Sequence, residues 1–169
     1  MVTSAKSLFN SYAANPDILF TFREMTRCIK QMQFQSLAMC MTMLKIQNNQ
    51  LVMSAAGMPP VYLFRNKHKI IEEHLMEGMP LGTMDKFPYE LKEMELLTGD
   101  TILLMSDGFP ELNNQHNEMF GYKRAKNSFA EVAEKNPEEI IAYLKNEGNR
   151  WSNDKDPDDD VTFVVIKVK

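Results

Sequence analysis

Apolar and polar positions along this chain repeat with two periods, one near three and a half residues and one of two. Ile18, Phe22, Met25, Ile29 and Met32 recur at steps of four and three, which lines them up as one stripe of a helix. Asn15-Pro16-Asp17 just before them predicts the helix start, with Asn15 as N-cap, Pro16 in the first helical position and Asp17 against the positive end of the dipole. Ala5, Leu8, Phe9 and Tyr12 have helical spacing too. They predict a helix over Val2–Tyr12, and its lack of a cap suggests the later part of a helix that begins upstream. The pattern then shortens. Leu37–Ile46, Gln50–Ala55, Val61–Phe64, Lys69–Glu72 and Leu91–Leu97 read as strands, with Asn48-Asn49 and Arg65–Lys67 as hairpin turns. Ile102–Met105 is apolar on both faces, the signature of a strand with no solvent side.

Helical spacing returns in Phe120–Glu134, through Ala125, Phe129 and Val132. Asn136-Pro137-Glu138-Glu139 then caps a helix that carries Ile140, Ile141 and Leu144 inward and is expected to end near Gly148. An acidic stretch, Ser152–Asp160, leads into a last strand, Val161–Val168. Helices, antiparallel strands, then helices and a closing strand predict an α+β layered domain. At 169 residues there is enough chain for one domain with a proper core and too little for two comfortable ones.

Composition narrows the field. A net charge of −4 provides no positive field for nucleic acid. Cys28 sits in a helical pattern and Cys40 in a strand pattern, and two cysteines in all argue for a reduced, cytoplasmic setting rather than a disulfide framework. No apolar run reaches membrane-span length and no signal pattern opens the chain, although a longer parent could be membrane-attached. The fourteen methionines fall inside helix and strand patterns and read as core filler.

Two acidic sites stand out. Ser106-Asp107-Gly108 follows the central strand, where glycine supplies backbone angles that a continuing strand does not use. A carboxylate at that mouth has a rigid scaffold beneath it and solvent in front. Asp158-Asp159-Asp160 precedes the last strand. If the two strands are neighbours the carboxylates converge, and converging carboxylates suit a hard divalent cation such as magnesium or manganese. A calcium loop starting at Asp154 fails, because its sixth position is Asp159 rather than glycine and its twelfth is Val165 rather than glutamate. His68, His74 and His116 are expected in surface turns or loops without zinc spacing. Asp100 reads as a plain turn residue. Ser54 and Ser106 have no readable catalytic partners, and neither a nucleophile elbow nor a phosphate-binding glycine loop occurs.

Leu103–Glu111, then Phe120-Gly121-Tyr122, then Asp159-Asp160-Val161-Thr162 resemble the metal-dependent serine/threonine phosphatases of the protein phosphatase 2C superfamily, in the bacterial branch typified by stage II sporulation protein E. Ala55–Pro60 and Gly78–Gly82 resemble that branch's two loop signatures, with Met58 where a histidine is common. The resemblance implies a PPM-type antiparallel β-sandwich flanked by helices. It implies that Asp107 and Asp159 are catalytic metal ligands for Mn2+ or Mg2+ (two per complete site), with Asp160 beside them. Glu111, Gly108 and Thr162 would support those ligands. The reaction it implies is two-metal hydrolysis of phosphoserine or phosphothreonine by a bridging water attacking in line.

The family's first signature, an early Gly-Asp pair, and its second, Gly-Asp-x-x-Gly-His-Gly, do not occur here. The chain is therefore expected to be the C-terminal two-thirds of a phosphatase domain, with two of its metal carboxylates missing, and to be inactive by itself. The resemblance further implies a phosphorylated regulatory protein as substrate, an upstream sensor domain in the parent chain, and coupling between them through Met1–Tyr12 and Pro16–Met32. Exposed sheet edges would favour a homodimer or exchange of elements between copies. The alternative is a non-catalytic interaction domain, and a mononuclear metal-binding protein is a third reading.

Overall fold

The structure, a computed structural model, describes residues 2–32 and 38–169. Its elements run α1 (Val2–Tyr12), α2 (Ile18–Gln31), β1 (Met41–Gln47), β2 (Gln50–Ala56), β3 (Val61–Arg65), β4 (Ile70–His74), β5 (Lys92–Glu95), β6 (Thr101–Met105), α3 (Gly121–Val132), α4 (Pro137–Ser152) and β7 (Phe163–Lys167). Antiparallel sheets flanked by helices make this the expected α+β class. The chain divides into two compact units, one holding the chain up to Met58 together with Met76–Glu95, the other Pro59–Leu75 with Leu96–Lys169.

The first unit contains α1, α2 and a sheet of order β1-β2-β5. Asn48 and Asn49 both have positive φ (49° and 63°) and close the β1–β2 hairpin, as their side chains permit. Ile18, Phe22 and Met25 of the predicted α2 stripe are buried with Met43, Leu81 and Tyr89, and Ile29 packs against them. Met32 falls out of the stripe because it is the C-cap and over a third exposed. The helix start also differs from expectation. Asp17, not Asn15, is the N-cap, its carboxylate accepting from Phe20 N at 3.0 Å, while Asn15 Oδ1 accepts from Asp17 N at 2.9 Å. Two oxygen side chains compete for one helix end here, and the one nearer the free N–H groups takes it. The strand expected from Leu37 begins at Met41, and Leu37 itself lies outside the described residues.

The two loop signatures meet in this unit. A Cβ on Gly78 would lie 2.4 Å from the Ala55 carbonyl oxygen, so only glycine lets the second loop touch the first. Cys28 Sγ lies 3.8 Å from the Tyr12 hydroxyl, and Cys40 precedes β1 rather than lying in it.

The second unit contains α3, α4 and a sheet of order β4-β3-β6-β7, antiparallel throughout. β6 is an inner strand, and Thr101, Ile102, Leu103 and Met105 are buried, as its two-faced apolar pattern requires. Tyr62, Leu103, Met105, Phe109, Phe129, Ile140 and Leu144 form its core. Ile141, expected inward, is half-exposed. Asn136 and Glu139 form the predicted capping box. Yet α4 runs past Gly148 to Ser152 and ends on Asn153 in the left-handed region. Gly148 is buried inside the helix, where a Cβ would come within 2.9 Å of Leu112 Cδ1. It serves close packing, not termination.

Asp100 is not a plain turn residue. Its side chain is 1% exposed. It accepts from Arg65 Nη1 (3.1 Å), Asn66 N (2.9 Å) and Leu97 N (3.0 Å). Arg65 extends the pairing to Glu72 at 2.9 Å, and His74 Nε2 lies 3.2 Å from the same carboxylate. His74 thus belongs to strand β4, not to a turn. Burial pulls the Arg65 guanidinium down in pKa, but its bonds to Glu72 and Asp100 outweigh that and hold it above its ordinary value. Removing one partner of a buried pair leaves the other's charge uncompensated. Asp100→Ala should therefore cost about 3 kcal/mol, read as a lowered urea midpoint with an unchanged slope.

Candidate metal centre

The candidate site lies wholly in the second unit. β6 and β7 pair antiparallel, with Met105 opposite Phe163, so the residues after one strand and before the other must leave the sheet together. Ser106 holds them there. Its N–H donates to Thr162 O (3.0 Å), its hydroxyl donates to Asp160 O (2.8 Å), and the same hydroxyl accepts from Thr162 N (2.9 Å). One short side chain thereby extends the ladder by a further step and fixes the backbone on both sides of Val161.

Gly108 allows the closest approach. A Cβ at this position would stand 2.6 Å from Asp160 O and 3.1 Å from Asp159 O. Its φ is not positive. The expectation that glycine is needed here for its backbone angles is therefore corrected: it is needed because the carbonyls of the facing segment occupy the space of a side chain.

Asp107 is exposed, and its carbonyl accepts from Glu111 N at 3.0 Å. Glu111 and Asp107 thus bracket one tight turn. Asp159 Oδ1 accepts from Asp160 N at 2.7 Å, and Asp158, Asp159, Asp160 and Thr162 are all exposed. The fold therefore brings Asp107, Gly108, Asp159, Asp160 and Thr162 to the same ends of two adjacent strands, with Glu111 one turn away. Phe109 turns inward beneath them, against Phe120 (centroids 4.8 Å) and Phe163 (4.8 Å). Phe120 N donates to Leu112 O (2.8 Å) and Gly121 N to Pro110 O (2.7 Å), which ties the start of α3 to the same turn. Trp151 Nε1 adds a further tie, donating to Leu112 O at 3.1 Å.

Carboxylates are the right donors for a hard divalent cation. Their number falls short: among the described residues no group of three or more His, Cys, Asp or Glu is placed to hold a metal ion. The described carboxylates do not by themselves make a three-ligand site.

Sequence reasoning missed the Ser106 clamp and the shift at Tyr122. Burial first, and then the charges of Glu111 and Asp107, raise the Tyr122 phenol above its ordinary pKa. The signals were present, since Ser106 adjoins Asp107 and Tyr122 follows a quoted signature, but neither residue type announces such a role.

Gly108→Ala should cost about 2–3 kcal/mol, because a backbone carbonyl cannot yield as a side chain would. It should also raise amide exchange at Thr162, whose N–H depends on the clamp. Ser106→Ala should cost about 1 kcal/mol and expose the same amide. Denaturant unfolding and hydrogen exchange check both.

Comparison with known proteins bears on family and fold. The family described as Stage II sporulation protein E (SpoIIE) matches residues 4–169. The SiaA-PP2C domain of Pseudomonas aeruginosa superposes with a TM-score of 0.80 at 18% identity, covering 99% of this chain and 67% of that one. The PP2C phosphatase domain with a regulatory fragment of SpoIIE from Bacillus subtilis gives 0.77 at 20% identity, covering 99% and 48%. The RsbU and RsbW domains of Rv1364c from Mycobacterium tuberculosis give 0.73 at 18%, covering 96% and 45%. No curated protein matches significantly in sequence. No helix among the described residues is long and apolar enough to cross a membrane. With nearly its whole length matched, the chain belongs to the SpoIIE family and has the fold of its PP2C-type phosphatase domains.

Proposed function

We propose that this chain is the larger part of a metal-dependent protein serine/threonine phosphatase domain, with Asp107 and Asp159 contributing ligands to Mn2+ or Mg2+ and Asp160 fixing the loop beside them. The observation that carries this reading is the Ser106 clamp with the Gly108 approach, which joins the two acidic segments at one end of the β6–β7 pair. Nothing in the core requires that contact. A fold that spends a buried glycine and a bridging hydroxyl on holding two exposed acidic loops together is built for what those loops carry.

A bound divalent cation would supply an acidified water and neutralise charge on phosphoryl oxygens. This chain's own part is to hold two carboxylates at fixed spacing. Exposed carboxylates repel one another, weakly in water and more strongly as solvent is excluded. The rigid strand ends keep them together against that repulsion. The remaining ligands have to come from residues beyond those described. The substrate, on this reading, is a phosphorylated regulatory protein, and the domain is the output module of a bacterial signalling protein with an upstream sensor. A second copy would cover the sheet edges left open among the described residues, and light scattering on the isolated chain tests for it.

One observation favours the second reading, a non-catalytic interaction domain: the absence of a three-ligand group among the described residues. Phosphate release from a phosphoserine peptide separates the two. With excess Mn2+ the isolated chain should give no turnover above background. The full-length protein should turn over, and Asp107→Ala within it should lose at least about 100-fold. A full-length protein that binds Mn2+ and its partner yet releases no phosphate would establish the interaction domain instead.

A further inference from the structure

Three polar side chains of α3 have bonding capacity left over, and they share a face. Arg124, Asn127 and Ser128 stand at steps of three and four, which stacks them along one side of a helix. All three line a groove of about 350 Å³ between α3 and α4.

Arg124 is mounted rather than loose. Its guanidinium carbon lies 4.1 Å from the centre of the Trp151 ring, a cation–π stack. The ring beneath is itself fixed. Trp151 Nε1 donates to Leu112 O (3.1 Å) and Glu118 O (3.2 Å), and Phe120 packs edge-on to it at 5.9 Å. A guanidinium is a fork of several N–H donors. Among the described residues it makes one long bond, Nη1 to Phe120 O at 3.5 Å, and no ion pair engages its charge.

Ser128 is buried, at 7% exposure, and its hydroxyl has no hydrogen-bond partner among the described residues. Every side-chain oxygen or nitrogen sealed from solvent there does have one, so this hydroxyl opens onto the groove. The exposed Asn127 amide is likewise uncommitted. The two carboxylates of the groove are spent elsewhere. Glu131 accepts from the Tyr143 hydroxyl, and Glu147 accepts from Arg150 Nη1 at 2.7 Å.

A fixed, unpaired guanidinium beside a buried, unpaired hydroxyl is a donor set without its acceptor. The planar fork matches a carboxylate or a phosphate. Glu131 and Glu147 decide between them, because their repulsion is twice as large for a dianion as for a monoanion. The Phe120 and Trp151 walls suit an apolar body behind the charge.

We propose that this groove binds a carboxylate carried on an apolar body, with Arg124 and Ser128 donating to its oxygens and Asn127 at the rim. The carboxylate belongs either to a free small molecule or to an acidic side chain of another protein. The inference is independent of the phosphatase reading.

The test uses the 169-residue chain, whose single tryptophan is Trp151 and reports on the groove by fluorescence. Phenylacetate should change that fluorescence saturably, with a Kd on the order of 1 mM, beyond the effect of sodium chloride at equal ionic strength. A blocked Phe-Glu dipeptide represents the protein source, and the tighter of the two ligands identifies which source the groove prefers. Arg124→Gln should weaken binding about ten-fold, and so should Arg124→Lys, which keeps the charge and loses the fork. Ser128→Ala should weaken it by roughly three-fold or more, with Tm unchanged in all three variants. No saturable change with either carboxylate would overturn the proposal. Equal affinity for neutral phenylacetamide would overturn it as well, since the cleft would then be reading only the apolar body. Tighter binding of inorganic phosphate would overturn the choice of carboxylate, and unaltered affinity in Arg124→Gln would overturn the site itself.

Discussion

The organisation of the candidate site depends on one pairing, that of β6 with β7. A buried strand flanked by hydrogen-bonded neighbours on both sides has no freedom to slide, because a slip of one residue would turn every core side chain outward. Its C-terminal end is therefore among the best-fixed points in the second unit. Ser106 and Gly108 carry that precision one step past the sheet, the first by bridging to the facing backbone and the second by making room for it. Where Asp107 and Asp159 stand is a consequence of this register, not of any attraction between them, since like charges supply none.

The same logic separates the parts of the unit that provide rigidity from those that provide chemistry. Phe109, Phe120 and Phe163 pack inward below the turn, and the buried Asp100 anchors the opposite end of β6 by accepting from three donors. The strand is thus held at both ends by different means, by charge and hydrogen bonds at Asp100 and by aromatic packing near Asp107. The exposed acidic residues then stay in water, where ionised groups are cheapest to keep.

Much of this was legible in the chain itself, for identifiable reasons. Helix and strand periods placed the described elements, and the two-faced apolar run Ile102–Met105 marked β6 as an inner strand. What could not be read was anything decided by a neighbour distant in sequence. Asp100 looks like a turn residue because turns favour aspartate, and only the arrival of Arg65 reveals it as an anchor. Gly148 looks like a helix stop because glycine favours stops, and only the proximity of Leu112 explains its place inside α4. Asn15 lost the cap to Asp17 on a matter of two residues, below the resolution of propensity. Gly108 is the instructive case, since its type was rightly singled out and its reason was wrong. Backbone angle is a local property that sequence suggests, whereas the space taken by Asp160 O is a tertiary one.

That distinction bears on how far a shared signature can carry function. Ser-Asp-Gly at a strand end specifies a geometry only when a second segment is present to be clamped, and here Asp159-Asp160 provides it. Chains with identities near one fifth superpose over nearly the whole of this one, as a core that tolerates exchange of one apolar side chain for another allows, while the clamp in this chain asks only for a small hydroxyl and a missing Cβ. The first turn of α3 is under no such constraint: it is tied to the Asp107 turn through its backbone, by Gly121 N on Pro110 O, so its side chains are positioned without being specified.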